Sequence, residues 1–190
     1  MMDDSSPKFK GKYRIESARL KGWDYAATGY YFVTICTHNR LPNFGEIKQN
    51  QMILSPAGEI AAKELEKTPQ IRPNAALDAW VVMPNHIHAI IILTGTPYGG
   101  TSDIVVETPR RGVSTDDVPT IKPWKPGTLG AILNQYKSIC TKRIRLAGCT
   151  DFAWQARYYD HIIRDERSLE TIRRYILENP LRWESDDYHA

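Results

Sequence analysis

The chain has 190 residues and a formal net charge of +3, with 42% hydrophobic and 25% charged residues. This composition is typical of one folded domain and excludes a disordered protein. The longest apolar runs, such as 89–93, are far shorter than the roughly 20 residues of a membrane helix, and no secretion signal is apparent. The three cysteines form no CxxC pair, so neither a disulfide framework nor a zinc finger is expected. We expect a cytoplasmic protein with no membrane contact.

Basic residues are unevenly distributed along the chain. The segment 119–150 holds six lysines and arginines and no acidic residue, and residues 1–28 form a second basic arm. Tryptophans and tyrosines accompany both segments, which indicates contact with a phosphate backbone and with unpaired bases. The alternative, that these charges only keep the protein soluble, stays open.

The first half of the chain alternates between strand and helix patterns. Residues 29–39 are rich in β-branched and aromatic side chains and predict a strand, and 44–54 predict a second strand or a hairpin. A helix follows at Pro56, with Ser55 as its cap. Two further strands are expected at 77–84 and 86–93, separated by a bend or a hairpin at the Pro-Asn pair between them.

The second half begins with a segment rich in glycine, proline and threonine, and we expect 94–127 to be a long flexible connection. A helix is predicted from Thr128 to near Gly148, then a strand around 158–164, then a last helix that ends before Pro180. This order of elements predicts an α+β fold. We expect a ferredoxin-like or RRM-like antiparallel sheet with helices packed mainly on one face.

Two histidines one residue apart are the first candidate for chemistry. In a strand His86 and His88 project from one face, with Cα atoms about 7 Å apart, while Ile87 points to the opposite layer. Two imidazoles on one face can bind one metal ion. A strand also places polar residues at alternate positions for structural reasons alone, so both interpretations stand at this point.

A tyrosine on the helix after the long connection is the second candidate. Tyr136 lies on or near the apolar face of that helix, which is typical of a core tyrosine. Polar neighbours surround it, and Lys142 and Arg143 follow within two turns. A tyrosine that faces a two-histidine metal site, with cations beside it, can act as a nucleophile on a phosphodiester.

Several segments together resemble a known family. VVMPNHIHAIIIL, LNQYKSICTKRI, YYFVTICTHNR and WQARYYDHIIRDERSLETIRRYILENPLRW resemble the HUH endonucleases, and among them the REP-associated tyrosine transposases of the IS200-like superfamily. The blocks extend from about residue 30 to residue 183. The resemblance implies one catalytic domain at 29–183, a basic arm at 1–28 and a tail at 184–190.

The resemblance also implies a mechanism. His86 and His88 would bind Mg²⁺ or Mn²⁺, and Tyr136 would cleave single-stranded DNA beside a hairpin through a 5′-phosphotyrosine intermediate before strands are rejoined. In related enzymes a third polar ligand lies one turn after the tyrosine. Cys140 occupies that position here, and its sulfur is poorly matched to Mg²⁺. Gln135, an acidic residue from elsewhere or water are the alternatives.

The partners expected from this resemblance are single-stranded and hairpin DNA, bound by a monomer or by a homodimer. Two other functions stay open: a non-catalytic module that binds single-stranded nucleic acid on the same sheet, and a metal-dependent hydrolase of small phosphodiesters in which water attacks. Further candidates for DNA contact are Asn85, Lys137, Lys142, Arg143 and Arg157.

Overall fold

The computed structural model of the protein describes residues 20, 22–95 and 127–189. Most of the predicted basic arm at 1–28 and most of the predicted connection at 94–127 lie outside the described residues. Within the described ranges, every helix is too short or too polar to cross a membrane.

Six strands and four helices make up most of the described chain. The strands are β1 (Gly29–Cys36), β2 (Gly45–Lys48), β3 (Gln51–Leu54), β4 (Ala75–Val82), β5 (His86–Leu93) and β6 (Tyr159–Ile163). The helices are α1 (Pro56–Glu66), the short α2 (Thr68–Ile71), α3 (Leu129–Leu146) and α4 (Glu166–Glu178), and a 3-10 helix follows at Asn179–Ser185.

The central sheet has four antiparallel strands in the order β4-β5-β1-β6. The chain order β1-α1-β4-β5-α3-β6 gives the βαββαβ arrangement of a ferredoxin-like fold, so the predicted α+β class is confirmed. Strands β2 and β3 form a separate hairpin, and α4 is an addition after the last strand.

The start of each long helix is set by a capping side chain. Ser55, Thr128 and Asp165 each accept a hydrogen bond from the backbone N–H three residues later, at 3.1, 3.2 and 2.8 Å. These are preferred N-cap residues because a short side-chain oxygen satisfies one of the N–H groups that the first turn leaves unpaired. Local sequence therefore fixes where α1, α3 and α4 begin.

The sheet has two different faces because side chains alternate along β5. Ile87 and its alternate neighbours pack with α1 and α3 in the larger apolar core, which we call the α1/α3 face. His86, His88 and Ile90 point to the opposite side, where α4 packs; we call this the α4 face. The predicted packing on one face holds for α1 and α3, while α4 covers the other side of the sheet.

Candidate active site

The two histidines lie at the beginning of β5, just after the bend that follows β4. Both are buried, with exposed fractions of 0% for His86 and 1% for His88. Their rings are oriented so that the two Nε2 atoms lie 3.0 Å apart. Adjacent ligands of an octahedral ion are separated by about 3 Å when metal–ligand bonds are about 2.1 Å. The strand pattern that the sequence predicts thus brings both imidazoles to one point.

Neighbouring side chains orient the rings. The amide of Asn85 donates through Nδ2 to the Tyr188 carbonyl at 2.7 Å, which leaves its Oδ1 directed at Nδ1 of His86 at 2.8 Å. His86 therefore carries its proton on Nδ1 and offers a lone pair on Nε2. The hydroxyl oxygen of Thr34 lies within hydrogen-bonding distance of Nδ1 of His88, at 2.9 Å.

Burial keeps both rings neutral. Desolvation lowers the pKa of His86 to about 3, with a further contribution from Arg40, and lowers the pKa of His88 to about 3, with a further contribution from His86. Neutral imidazoles are the form that binds metal ions. At physiological pH the site is ready to bind a cation without losing protons from these rings.

Two oxygen-bearing side chains complete the donor set. A carboxylate oxygen of Asp186 lies within 4.8 Å of nitrogen atoms of both histidines. Asn179 donates through Nδ2 to Asp186 at 2.9 Å, and its Oδ1 is buried with no hydrogen-bond partner among the described residues. An unpaired buried amide oxygen beside two neutral imidazoles fits a divalent cation, which would supply its missing partner.

A tyrosine from α4 reaches the same point. The Tyr175 hydroxyl lies 3.2 Å from Nε2 of His88, and the two ring centres are 5.2 Å apart. Burial, followed by the charge of Asp186, raises the pKa of Tyr175 to about 12. The phenol is therefore protonated at rest, one hydrogen bond away from the candidate metal ligands.

Tyr136, the tyrosine predicted as nucleophile, lies on the α1/α3 face. It is 4% exposed, and its hydroxyl donates to the Ala61 carbonyl of α1 at 2.9 Å. Burial raises its pKa well above the usual value. The sheet separates it from His86 and His88, so the structure does not bring these predicted partners together. The physical reason is that α3 packs on the side of β5 to which Ile87 points.

The two residues predicted as third ligands lie on the same helix as Tyr136. Cys140 is fully buried in the same core, and burial raises its pKa to about 12. Gln135 accepts a hydrogen bond from Arg72 at 2.7 Å. Both belong to α3 and face away from the histidines. The remaining prediction for this position, an acidic residue from elsewhere, agrees with the placement of Asp186.

The residues predicted to contact DNA have mixed surroundings. Asn85 is buried and orients His86, as described above, and Lys137 donates to the Gln155 backbone carbonyl. Arg143 forms an ion pair of 2.7 Å with Glu64. Lys142 and Arg157 are exposed on the surface. Contact of this group with DNA stays a prediction.

Three functional candidates, Tyr175, Asn179 and Asp186, were not singled out from the sequence. A signal for two of them is present: Asn179 follows Tyr175 by one helical turn, the spacing expected between a nucleophile and a third ligand. Asp186 belongs to the predicted tail at 184–190, where no periodic pattern indicates a packed position. In the structure these residues pack on the domain instead of extending away from it.

The segment 186–188 covers the histidines. The Tyr188 ring centre is 4.7 Å from that of His86, and Arg40 holds the segment by donating to the Asp187 carbonyl at 2.8 Å. The guanidinium of Arg40 also lies over the Tyr188 ring. A substrate reaches the two Nε2 atoms only if this segment moves.

Comparison with known proteins finds a relative in sequence and a relative in fold. No family model matches the chain. A Haemophilus influenzae protein described as uncharacterized is 33% identical over 184 residues, or 95% of this chain and 96% of the relative. The solved structure of a REP-associated tyrosine transposase bound to a REP hairpin has a TM-score of 0.54 and 21% identity, and covers 86% of this chain and 74% of that chain.

These two similarities carry different conclusions. An identity of 33% across nearly the whole of both sequences shows common family membership. An identity of 21% with an overlapping backbone shows a shared fold. The chain therefore belongs to the same family as the Haemophilus influenzae protein, and its fold is that of the REP-associated tyrosine transposase.

Proposed function

We propose that the protein is a DNA strand-transfer enzyme that cleaves and rejoins single-stranded DNA next to hairpins, with Tyr175 as its nucleophile. The observation that carries this proposal is the 3.2 Å contact between the Tyr175 hydroxyl and Nε2 of His88. A phenol beside two neutral, convergent imidazoles is the arrangement that metal-assisted attack on a phosphodiester needs. The shared fold with a transposase whose structure holds a REP hairpin supports DNA as the substrate.

A divalent cation fits the donor set of His86, His88, Asp186 and Asn179. Imidazole nitrogens mixed with carboxylate and amide oxygens suit Mn²⁺ better than Mg²⁺, which prefers oxygen ligands. Bound there, the cation would stabilise negative charge on the phosphoryl oxygens during attack. The protein keeps both rings neutral by burying them and orients them through Asn85 and Thr34.

The covalent step is balanced within enzyme and DNA. The Tyr175 oxygen forms a bond to phosphorus, the bond from phosphorus to the 3′ oxygen breaks, and the phenol proton is transferred overall to that 3′ oxygen. The products are a 5′-phosphotyrosine and a free 3′-OH. Since the phosphodiester is exchanged for another phosphodiester, the reverse attack by a 3′-OH rejoins strands without a further energy source.

A non-catalytic binder of single-stranded nucleic acid is the second candidate. The observation in its favour is the near-complete burial of both histidines beneath 186–188. In that function the aromatic and imidazole rings of the α4 face would only pack and stack. The two functions differ in whether a covalent bond to DNA forms.

The test uses a labelled single strand that carries a hairpin, incubated with Mn²⁺ and analysed on a denaturing gel. We expect a covalent protein–DNA adduct that disappears in Tyr175→Phe. Tyr136→Phe is the matched control, because it removes the same hydroxyl from the other face of the sheet, and we expect its adduct to persist.

Each other outcome identifies a different function. Loss of the adduct in Tyr136→Phe alone would restore the tyrosine predicted from the sequence and overturn the role of Tyr175. Cleavage that survives in both variants would indicate that water attacks, as in a hydrolase. Binding without cleavage, unaffected by a chelator, would leave the non-catalytic binder.

A further inference from the structure

Arg40 is a half-buried cation beside the candidate active site, and it is held there by two neutral groups. Its Nη1 donates to the Asp187 carbonyl at 2.8 Å, and its guanidinium carbon lies 5.1 Å from the centre of the Tyr188 ring. Arg143 and Arg173, by contrast, each pair with a carboxylate. Because a carbonyl and a ring leave the charge of Arg40 in place, a negatively charged ligand can compete for it.

The loop that carries Arg40 is fixed to the bend that carries the histidines. The fully buried Thr37 donates its backbone N–H to the carbonyl of Asn85, the residue before His86, at 2.9 Å. Asn39 and Arg40 follow in left-handed conformation, with φ of 52° and 54°. Asparagine adopts this conformation readily, whereas arginine does so rarely. A strained residue that is held in place next to a candidate site indicates a functional constraint.

The Tyr188 ring fills a space beside the candidate metal ligands. Its centre lies 4.7 Å from that of His86 and 5.7 Å from that of His88, and the Arg40 guanidinium lies over it. We call the space that this ring occupies, bordered by Arg40, His86 and His88, the ring slot. It lies on the α4 face, where the substrate has to enter.

The groups around the ring slot are those that bind a nucleobase. Guanidinium planes and imidazoles stack on the faces of unpaired bases, as they contact the tyrosine ring here. The carbonyl of Asp187 marks a second position, at which Arg40 donates a hydrogen bond to an oxygen. A nucleotide carries a ring and phosphate oxygens in one unit, so it can replace both contacts of Arg40 at once.

We propose that the ring slot takes the base of a nucleotide next to the cleaved phosphodiester, stacked on the Arg40 guanidinium in the place that Tyr188 occupies. This proposal rests on the proposed function in taking single-stranded DNA as the ligand. It assigns to Arg40 a direct contact with the substrate, in addition to the residues that would perform cleavage.

The test measures DNA binding by fluorescence anisotropy in the Tyr188→Ala variant, with chelator present so that no cleavage occurs. The probes are a single strand that carries a hairpin and a series of the same strand in which one unpaired nucleotide at a time lacks its base. We expect one position at which loss of the base weakens binding about tenfold. Tyr188→Ala should bind the complete strand tighter than the natural protein, because the base no longer has to displace a ring.

A second substitution in Tyr188→Ala identifies the partner of that base. Arg40→Gly, which suits the left-handed backbone, should reduce the loss at this position to about onefold, as a double-mutant cycle records. Arg40→Lys keeps the charge without the plane and should retain part of the loss. Arg72→Ala is the matched control, since it removes an arginine that donates to Gln135 away from the histidines. It should leave the loss unchanged, and a melting temperature shows that each variant is folded.

An equal effect of the missing base with and without Arg40, at every position, would overturn the ring slot. It would mean that Arg40 only holds the segment 186–188. Affinity in Tyr188→Ala no higher than in the natural protein would also overturn it, because Tyr188 would then not compete with DNA. Coupling between Arg40 and a base without any covalent adduct would leave the slot standing and contradict the proposed enzyme. An adduct without this coupling would do the opposite.

Discussion

The two faces of the central sheet each carry a helix with a tyrosine, and the tyrosines have opposite environments. On the α1/α3 face, Tyr136 is enclosed by apolar side chains and its hydroxyl is bound to a backbone carbonyl. On the α4 face, Tyr175 meets a buried imidazole that itself contacts a second one. One face is a hydrophobic core with a satisfied phenol, whereas the other is a polar cluster in which Asn179 Oδ1 has no hydrogen-bond partner among the described residues. A ferredoxin-like sheet has one face that its own two helices leave uncovered, and here the added α4 builds the site on it.

The largest expected effect separates the faces within one strand. Ile87→Ala should lower the free energy of unfolding by about 2–5 kcal/mol, because Ile87 is fully buried in the α1/α3 core. The Ile87→Ala variant should still bind Mn²⁺, as measured by calorimetry. His88→Ala, the next residue on the other face, should abolish that binding. Retained Mn²⁺ binding in His88→Ala would contradict the assignment of the metal ligands.

A smaller effect is expected for the residue that orients His86. Asn85→Ala should weaken Mn²⁺ binding about 10–100-fold, because the ring loses the acceptor that fixes its tautomer. Asn74 is a control of the same type, since it is equally buried and donates to the Gly127 carbonyl away from the histidines. Asn74→Ala should keep the natural affinity, even where stability falls. Equal losses in the two variants would indicate a general effect of unfolding.

The attachment of α4 to the sheet is expected to depend on charge. Arg173 of α4 contacts both carboxylate oxygens of Asp78 in β4, at 2.9 and 2.6 Å. Asp78→Asn should lower the unfolding free energy at pH 7, as measured with urea, because Arg173 loses its charged acceptor. Glu170→Gln, which removes a more exposed partner of Arg173 at 3.7 Å, should change it far less.

The same pair predicts a direction with pH. The Arg173 hydrogen bond lowers the pKa of Asp78 below its ordinary value of 3.8. A lowered pKa in the folded state stabilises the fold above 3.8 and is lost as the pH falls through the folded-state value. The difference between the natural protein and Asp78→Asn should therefore shrink below about pH 4. A difference that stays constant to pH 3 would exclude the ion pair as its cause.

The smallest expected effect concerns how readily a reagent reaches the buried cysteines on each face of the sheet. Cys36 lies beside His86 and Cys140 lies beneath α1, and burial raises their pKa values to about 11 and about 12. Both should resist iodoacetamide at pH 8 while the partly exposed Cys149 reacts, as peptide mass mapping would record. Tyr188→Ala should speed modification of Cys36 and leave Cys140 protected. Equal protection in that variant would mean that 186–188 does not control access to the α4 face.

Much of the fold was predictable because it depends on local chemistry. Capping residues placed the helix starts, and β-branched and aromatic runs placed β1 and β5. The segment 44–54 resolved into the β2–β3 hairpin, turned by Gln49 and Asn50 in left-handed conformation. The pairing of His86 with His88 on one face was predictable too, since strand alternation permits no other arrangement.

The choice of tyrosine was not predictable from periodicity. Both Tyr136 and Tyr175 lie on helices with an apolar face, and such a face shows only that a helix packs, not on which side of the sheet. That side is decided by connections and by long-range packing. Asp186 depends on the same kind of information, because a carboxylate after the last helix has no pattern that marks it as buried.

The sequence by itself determined the helices and strands, their ferredoxin-like order along the chain, and the placement of both histidines on one face of β5. The elements and the histidine placement follow from backbone geometry within a few residues, and the order follows from the elements. Only the tertiary structure decided which helix covers the histidines and which oxygen atoms join them. Those outcomes depend on contacts between residues some ninety positions apart, such as Tyr175 with His88. Such contacts form because each face of the sheet has to be buried by whichever helix the chain connections can bring to it.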